Sequence, residues 1–191
     1  MLFSQISEKS AAYISQEINL DKDREEILAY AIETMLLSFV GFILIILLGF
    51  LFNAALPAAI AAISGGLLRK LSGGAHFNTP YKCLVFGAIV YGLLGLAVKA
   101  VIATIGFSLS LNIPLLIGTL LLVGIFAPVD SEAKPIHSSD LRKKLKVSSI
   151  IFVLVIFLLA FFLENSLIVQ ALVLGVVYQA ITLLPMFNQK K

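Results

Sequence analysis

The sequence predicts an all-α, polytopic membrane protein with about six transmembrane helices, and three observations carry that prediction. Of its 191 residues, 60% are apolar and 13% charged, with a mean hydropathy of +1.03, which is more apolar material than a soluble domain of this length buries. The apolar residues fall in blocks near 35–53, 54–68, 84–106, 111–127, 148–163 and 166–186, several long enough to cross hydrocarbon as helices. Basic residues gather in four places: Lys9, Lys22 and Arg24; Arg69, Lys70 and Lys82; Lys134, Arg142, Lys143, Lys144 and Lys146; and Lys190 with Lys191. The other connections, near Phe52–Ala54, Ser108–Asn112 and Glu164–Ser166, hold no Lys or Arg. An even number of crossings puts all four basic segments, and both termini, on one side, which the positive-inside rule makes cytoplasmic. The net charge of +3, from 14 basic and 11 acidic residues, says nothing by itself; its distribution does.

Residues 1–22 form the first expected unit. Leu2, Ile6, Tyr13 and Leu20 share one side of a helical wheel, with Gln5, Glu8 and Gln16 away from them, a pattern suited either to the membrane interface or to a short helix packed on the body. Residues 1–26 carry mixed charges and no short apolar core, so no cleavable signal peptide is expected. Residues 23–191 are expected to form a single transmembrane domain. Asp23 and Glu26 resemble a capping box that starts a long helix to Phe52, with Glu33 as the acid inside it.

The block 54–68 has only 15 residues. At ~1.5 Å per residue it spans roughly 22 Å of a core about 30 Å thick, so it must borrow from Leu51–Asn53, thin the bilayer or re-enter. Its small residues, "AALPAAIAAISGG", permit close helix contact within one chain or between two copies, which leaves a homodimer open. Lys99 falls within the block 84–106 and is expected to snorkel or to meet a partner between helices. The segment 128–147 reads as a basic cytoplasmic loop. The chain shows no internal repeat and no low-complexity tract, and no nucleic-acid partner is expected.

The chemistry concentrates in the break at 69–83, which holds the single cysteine, Cys83, seven residues after His76. On one straight helix the two would stand about 10 Å apart along the axis, too far for proton transfer. Gly73, Gly74 and Pro80 argue against that geometry, because the glycines permit a turn and the proline disfavours helix at Thr79. A helix starting near Tyr81 would set Cys83 in its first turn, where the helix N-terminus and the nearby Lys82, Arg69 and Lys70 favour thiolate over thiol. A histidine within reach then serves as acid and base, as in a cysteine peptidase. Spacing alone leaves other readings open. A lone cysteine at a helix end is commonly an inert small residue, a lone loop histidine is commonly solvated, and as a metal site the pair lacks third and fourth ligands. The chain has no HExxH, GxSxG or phosphate-binding loop.

Arg69, the run Ser72-Gly73-Gly74-Ala75-His76, and Cys83 together resemble the motif of the accessory gene regulator B (AgrB) family of bacterial membrane peptidases. "FAPVDSEAKPI" (126–136) with "LRKKLK" (141–146), and "QAITLLPMF" (179–187), resemble the same family in the same order across nearly the whole chain. The resemblance implies a multi-pass enzyme of the bacterial cell membrane that processes a small, AgrD-like quorum-sensing propeptide at the cytoplasmic face. It makes Cys83 the nucleophile and His76 its acid and base, with no cofactor and no metal. Cleavage through an acyl thioester is followed by cyclisation to a thiolactone or lactone. Arg69 is then a residue for substrate or thiolate electrostatics, and Gly73 and Gly74 either donate N–H groups to an oxyanion or only make the turn. Glu33, Asp130 and Asn78 are candidate partners that orient His76. Arg142, Lys143, Lys144 and Lys146 enforce orientation and touch lipid headgroups, or dock the acidic tail of the precursor. Ser72 stands where some relatives carry a further histidine, so no second imidazole is counted. Two rival readings remain: a small peptide transporter with Lys99 and Glu33 as its intramembrane polar groups, and a non-catalytic scaffold.

Overall fold

The computed structural model describes residues 2–75, 79–105, 109–130, 136, 138–163 and 166–188. Seven α-helices follow one another: α1 (Leu2–Ile18), α2 (Lys22–Leu51), α3 (Ala55–Ser72), α4 (Pro80–Ile105), α5 (Leu109–Phe126), α6 (Ser139–Phe162) and α7 (Ser166–Ile181). A 3-10 turn at Pro185–Phe187 ends the described chain. The all-α membrane fold read from hydropathy is the observed one. Among the described residues α2, α4, α5 and α6 are each long and apolar enough to cross a membrane, whereas α7 has 16 residues and α3, with 18, is the more polar.

Helix boundaries depart from the expected ones where polar side chains decide them. The cap of α2 is Asp21 rather than the Asp23 box: its carboxylate accepts the Arg24 N–H at 2.9 Å, and Asp23 and Glu25 fall in the first turn, where the helix dipole favours acids. Helix α3 lengthens at its polar end, to Ser72, and not backward into Leu51–Asn53. The backward route is closed because Asn53 adopts φ 50° and the Ala54 N–H turns back to Gly49 O at 2.7 Å. The basic stretch expected as a loop through 147 is largely helical, since Ser138 caps α6 by accepting the Leu141 N–H, and Leu141–Lys146 form its first turns.

Helix α1 packs on α2. Its buried stripe is Ser7, Ala11 and Ser15, whose i, i+4 spacing and small side chains let the two backbones approach. The apolar stripe expected from the helical wheel faces away from the protein, with Ile6 44% and Tyr13 68% exposed.

Helix α3 is the central element, touching α2, α4, α6 and most extensively α7. Ala58, Ala61, Ala62, Ser64 and Gly65 are buried along it. The small residues of the "AALPAAIAAISGG" stretch are therefore used inside one chain, against α4 and α7. Ser64 Oγ donates to Leu172 O of α7 at 3.1 Å, and Tyr91 of α4 meets Tyr178 of α7 edge to face with ring centroids 5.4 Å apart. One apolar cluster, including Leu116, Val153, Ile156 and Val173, joins α5, α6 and α7; another, around Ile45, Ala61 and Ala88, joins α2, α3 and α4. Large apolar side chains such as Phe39, Phe50, Leu121 and Phe162 point outward, the pattern of a lipid-facing surface.

Gly175 sets the closeness of the α3–α7 contact, because a Cβ there would overlap Ser64 Oγ and the Ala61 carbonyl. Gly175→Val is expected to destabilise the protein by about 3 kcal/mol. Gly66→Ala, at a position with nothing within 4 Å, is expected to leave the unfolding midpoint in detergent unchanged or slightly raised.

Candidate active site at the start of helix α4

The break between α3 and α4 is built by two glycines and held by two other parts of the chain and by Arg69 of α3. Gly73 closes α3 by donating its N–H to Arg69 O at 2.9 Å, and then adopts φ 68°. Gly74 follows at φ 133°. Both angles lie where a Cβ is strained. Space is closed as well: a Cβ on Gly73 would overlap the Val129 carbonyl, and one on Gly74 would stand 2.7 Å from Thr182 Oγ1 and 2.9 Å from Gln179 Nε2.

Around this turn the backbone groups released by α3 find new partners. Val129 N–H donates to Ser72 O at 2.9 Å, Gln179 Nε2 to Gly73 O at 2.7 Å, and Ala75 N–H to Thr182 O at 3.2 Å. The Arg69 guanidinium donates to Ala75 O. Val129 lies just beyond the cis Ala127–Pro128 peptide that follows α5, and Gln179 and Thr182 belong to the end of α7. Every residue from Ser72 to Ala75 is thereby fixed, directly or through its neighbour. Among the described residues the Gly74 N–H has no acceptor.

Helix α4 begins at Pro80, one residue before the expected start, with proline at the first helical position where its missing N–H costs nothing. Cys83 lies in the first turn, half-buried, and donates its N–H to Thr79 O at 3.3 Å. Arg69 lies in the last turn of α3 and Cys83 in the first turn of α4, on either side of this break. Phe3 of α1 reaches the same corner, its ring 6.2 Å from that of Tyr81.

Helix α2 carries Glu33 toward this end. A Cβ on Gly41 would lie 3.6 Å from Leu84, and one on Gly92 3.2 Å from Leu48, so α2 and α4 run parallel in register. Half-buried Glu33 lies eight residues, roughly 12 Å, before Gly41 along α2, in the direction of the end where α4 starts.

The remaining expected site residues separate. His76 and Asn78 lie outside the described residues. The Asp130 carboxylate pairs with Arg142, which also donates to Pro128 O at 3.5 Å. Arg142 thereby leaves the basic cluster for a local role, while Lys143 and Lys144 are exposed and Lys146 half-buried. The Gly73 N–H is taken by the Arg69 carbonyl of α3. Lys99 donates to Asn53 O at 2.9 Å, at the α2–α3 connection. That places it at the opposite end from Glu33, roughly 30 Å away along α2.

Gln179 and Thr182 were not singled out from sequence, although a glutamine inside the otherwise apolar "VVYQAITLL" is the signal that marks one of them. Gln179 is fully buried.

An all-helical membrane protein with one thiol at a helix start, beside a glycine turn strapped to its last helix, is the class that this fold and site define. Residues 7–183 match the accessory gene regulator B family, and the chain belongs to it. It is 32% identical over 195 residues to an AgrB-like protein of Clostridium perfringens (strain SM101 / Type A), covering 93% of this chain and 87% of that one. A second, AgrB-like protein 2 of Clostridium perfringens (strain 13 / Type A), is 33% identical over 78% of this chain and 71% of its own. Accessory gene regulator protein B of Staphylococcus aureus (strain Newman) is 26% identical over 95% of this chain and 93% of its own. No solved structure matches the chain.

Gly73→Ala is expected to lower stability by about 1–2 kcal/mol from the left-handed backbone alone, and by more from the overlap with Val129. A fall in unfolding midpoint, with faster proteolysis between α3 and α4, checks this.

Proposed function

We propose that this protein is a membrane cysteine endopeptidase of a quorum-sensing system, which removes the C-terminal tail of a small AgrD-like propeptide and promotes its closure to a thiolactone or lactone. The observation that carries the reading is the position of Cys83, the chain's single cysteine, in the first turn of α4, directly after a turn strapped to α7. Membership of the family supports the same reading, since the motif residues Arg69, Gly74 and Cys83 gather at one end of the bundle.

In this reading the Cys83 thiolate attacks a backbone carbonyl of the precursor. The C–N bond breaks, the departing amine takes a proton from His76, and the peptide remains as an acyl thioester on Cys83. A Cys or Ser side chain of the same peptide, deprotonated by His76, attacks that thioester; the bond to Cys83 breaks and the thiolate is regenerated. Nothing is oxidised, so no redox cofactor is required, and exclusion of water from the corner protects the thioester from hydrolysis. The Gly74 N–H is the donor for the oxyanion. Glu33 is the carboxylate that orients His76, on the strength of its half-buried position in the part of α2 that leads toward the level of the α4 start.

The bilayer placement follows the charges. Helices α2 to α7 make six crossings, with α3 and α7 as the inner ones, and both termini and Cys83 on the cytoplasmic side of a bacterial cell membrane. Helix α1 lies in the interface with Ile6 and Tyr13 toward lipid. Lys143, Lys144 and Lys146 dock the acidic tail of the precursor.

Co-expression with the cognate precursor tests the site. Cys83→Ala and His76→Ala are expected to abolish tail release, and persisting cleavage in either contradicts the assigned role. Glu33→Gln is expected to slow release by about 10²-fold, while Asp130→Asn stays within about threefold of the parent. Replacing Lys143, Lys144 and Lys146 by Gln is expected to raise the half-saturating precursor concentration and to weaken its dependence on salt.

A further inference from the structure

Helix α7 buries two glutamines, Gln170 and Gln179, in otherwise apolar surroundings. An amide in such a place carries a desolvation cost that a methionine of similar size avoids. Among the described residues Gln170 Nε2 finds no partner, whereas Gln179 Nε2 donates to Gly73 O at 2.7 Å and lies 3.4 Å from Ser72 Oγ. Gln179 Oε1 has no partner among the described residues, so half of that amide's bonding capacity is given up to keep the donor in place. The carbonyl it holds belongs to a glycine at φ 68°, and a Cβ on the next glycine would stand 2.9 Å from the same Nε2. One side chain thus fixes both the direction in which the chain leaves α3 and the space open to Gly74.

We propose that Gln179 is a positioning residue of the active site: its amide N–H, by holding the Gly73 carbonyl, fixes the turn by which the chain leaves α3, and the Cys83–His76 chemistry proposed above depends on that turn. The inference rests on the Cys83–His76 reading given above. It assigns to α7, which lies about a hundred residues further along the chain, control over a reaction carried out between α3 and α4. Gln179 touches no reacting atom; it acts through the turn.

The test uses the full chain in lipid nanodiscs and reads two quantities: the rate of Cys83 alkylation by iodoacetamide at neutral pH, and tail release from the cognate precursor. His76→Ala is the reference for a thiol without its imidazole. Gln179→Met keeps the volume and removes the donor. Gln179→Asn keeps a buried amide and withdraws the donor by about one bond length, ~1.5 Å. Gln170→Met, a matched change elsewhere on α7, is the control.

Both Gln179 variants are expected to slow alkylation by about tenfold, to the level of His76→Ala, and to lower the saturated rate of release with the half-saturating concentration unchanged. Gln170→Met is expected to match the parent. Should His76→Ala slow alkylation while folded Gln179→Met and Gln179→Asn do not, the positioning role is overturned and the Cys–His reading stands. Should His76→Ala alkylate like the parent, the Cys–His reading fails and this inference falls with it. An equal slowing in Gln170→Met contradicts a specific role for Gln179, because a general loosening of α7 would then account for both.

Discussion

Where α3 ends, Gly73 and Gly74 turn the chain through backbone conformations that a side chain would strain, and the groups this strips from the helix must be paired elsewhere in a protein with little water to offer. Ser72 O is taken by Val129, Gly73 O by Gln179, and Ala75 by Thr182 and Arg69. The corner that carries Cys83 therefore inherits its geometry from the end of α7 and from the chain after α5. The packing of α4 on α2, α3 and α7 sets where that helix lies, and the strapping sets the turn that leads from α3 toward it.

Strapping of this kind needs α3 and α7 to be held at a set distance, and small residues do this. Ser64, Gly65 and Gly175 let the two backbones come close enough for Ser64 Oγ to reach a main-chain carbonyl of α7. In lipid, where apolar surface alone drives little helix association, close packing and interhelical hydrogen bonds of this type carry the contact. The outer helices α2, α4, α5 and α6 supply the apolar exterior and are each long and apolar enough to cross a membrane; of the inner pair α7 is shorter and α3 more polar. The inner pair sets the position of the turn, and α4, which follows it, carries Cys83 in its first helical turn.

Hydropathy blocks made the helical membrane architecture legible, because lipid exposure demands long apolar runs whatever the tertiary detail. The spacing of Gly73, Gly74, Pro80 and Cys83 made the turn and the helix start legible, because those residue types restrict the backbone locally. Boundaries were misjudged where a polar stretch continued a helix, as at Arg69–Ser72 and Leu141–Lys146, since hydropathy reports the bilayer and not the helix. The N-terminal helix turned its small residues, not its apolar ones, to the protein. Pairings between distant parts of the chain, such as Asp130 with Arg142 and Gln179 with Gly73, leave no periodic trace; a lone glutamine in an apolar helix was their single local mark.

The most direct test of the strapped corner is amide hydrogen exchange of the protein in lipid nanodiscs, resolved at Gly73, Ala75 and Val129. Each donates its N–H to a carbonyl of another residue in the corner: Arg69, Thr182 and Ser72 respectively. If the account is right, all three exchange as slowly as the interior of α3, with protection of at least about 10³-fold over an open chain. Exchange at the rate of an unprotected loop at Ala75 and Val129, while α3 and α7 stay protected, would contradict it.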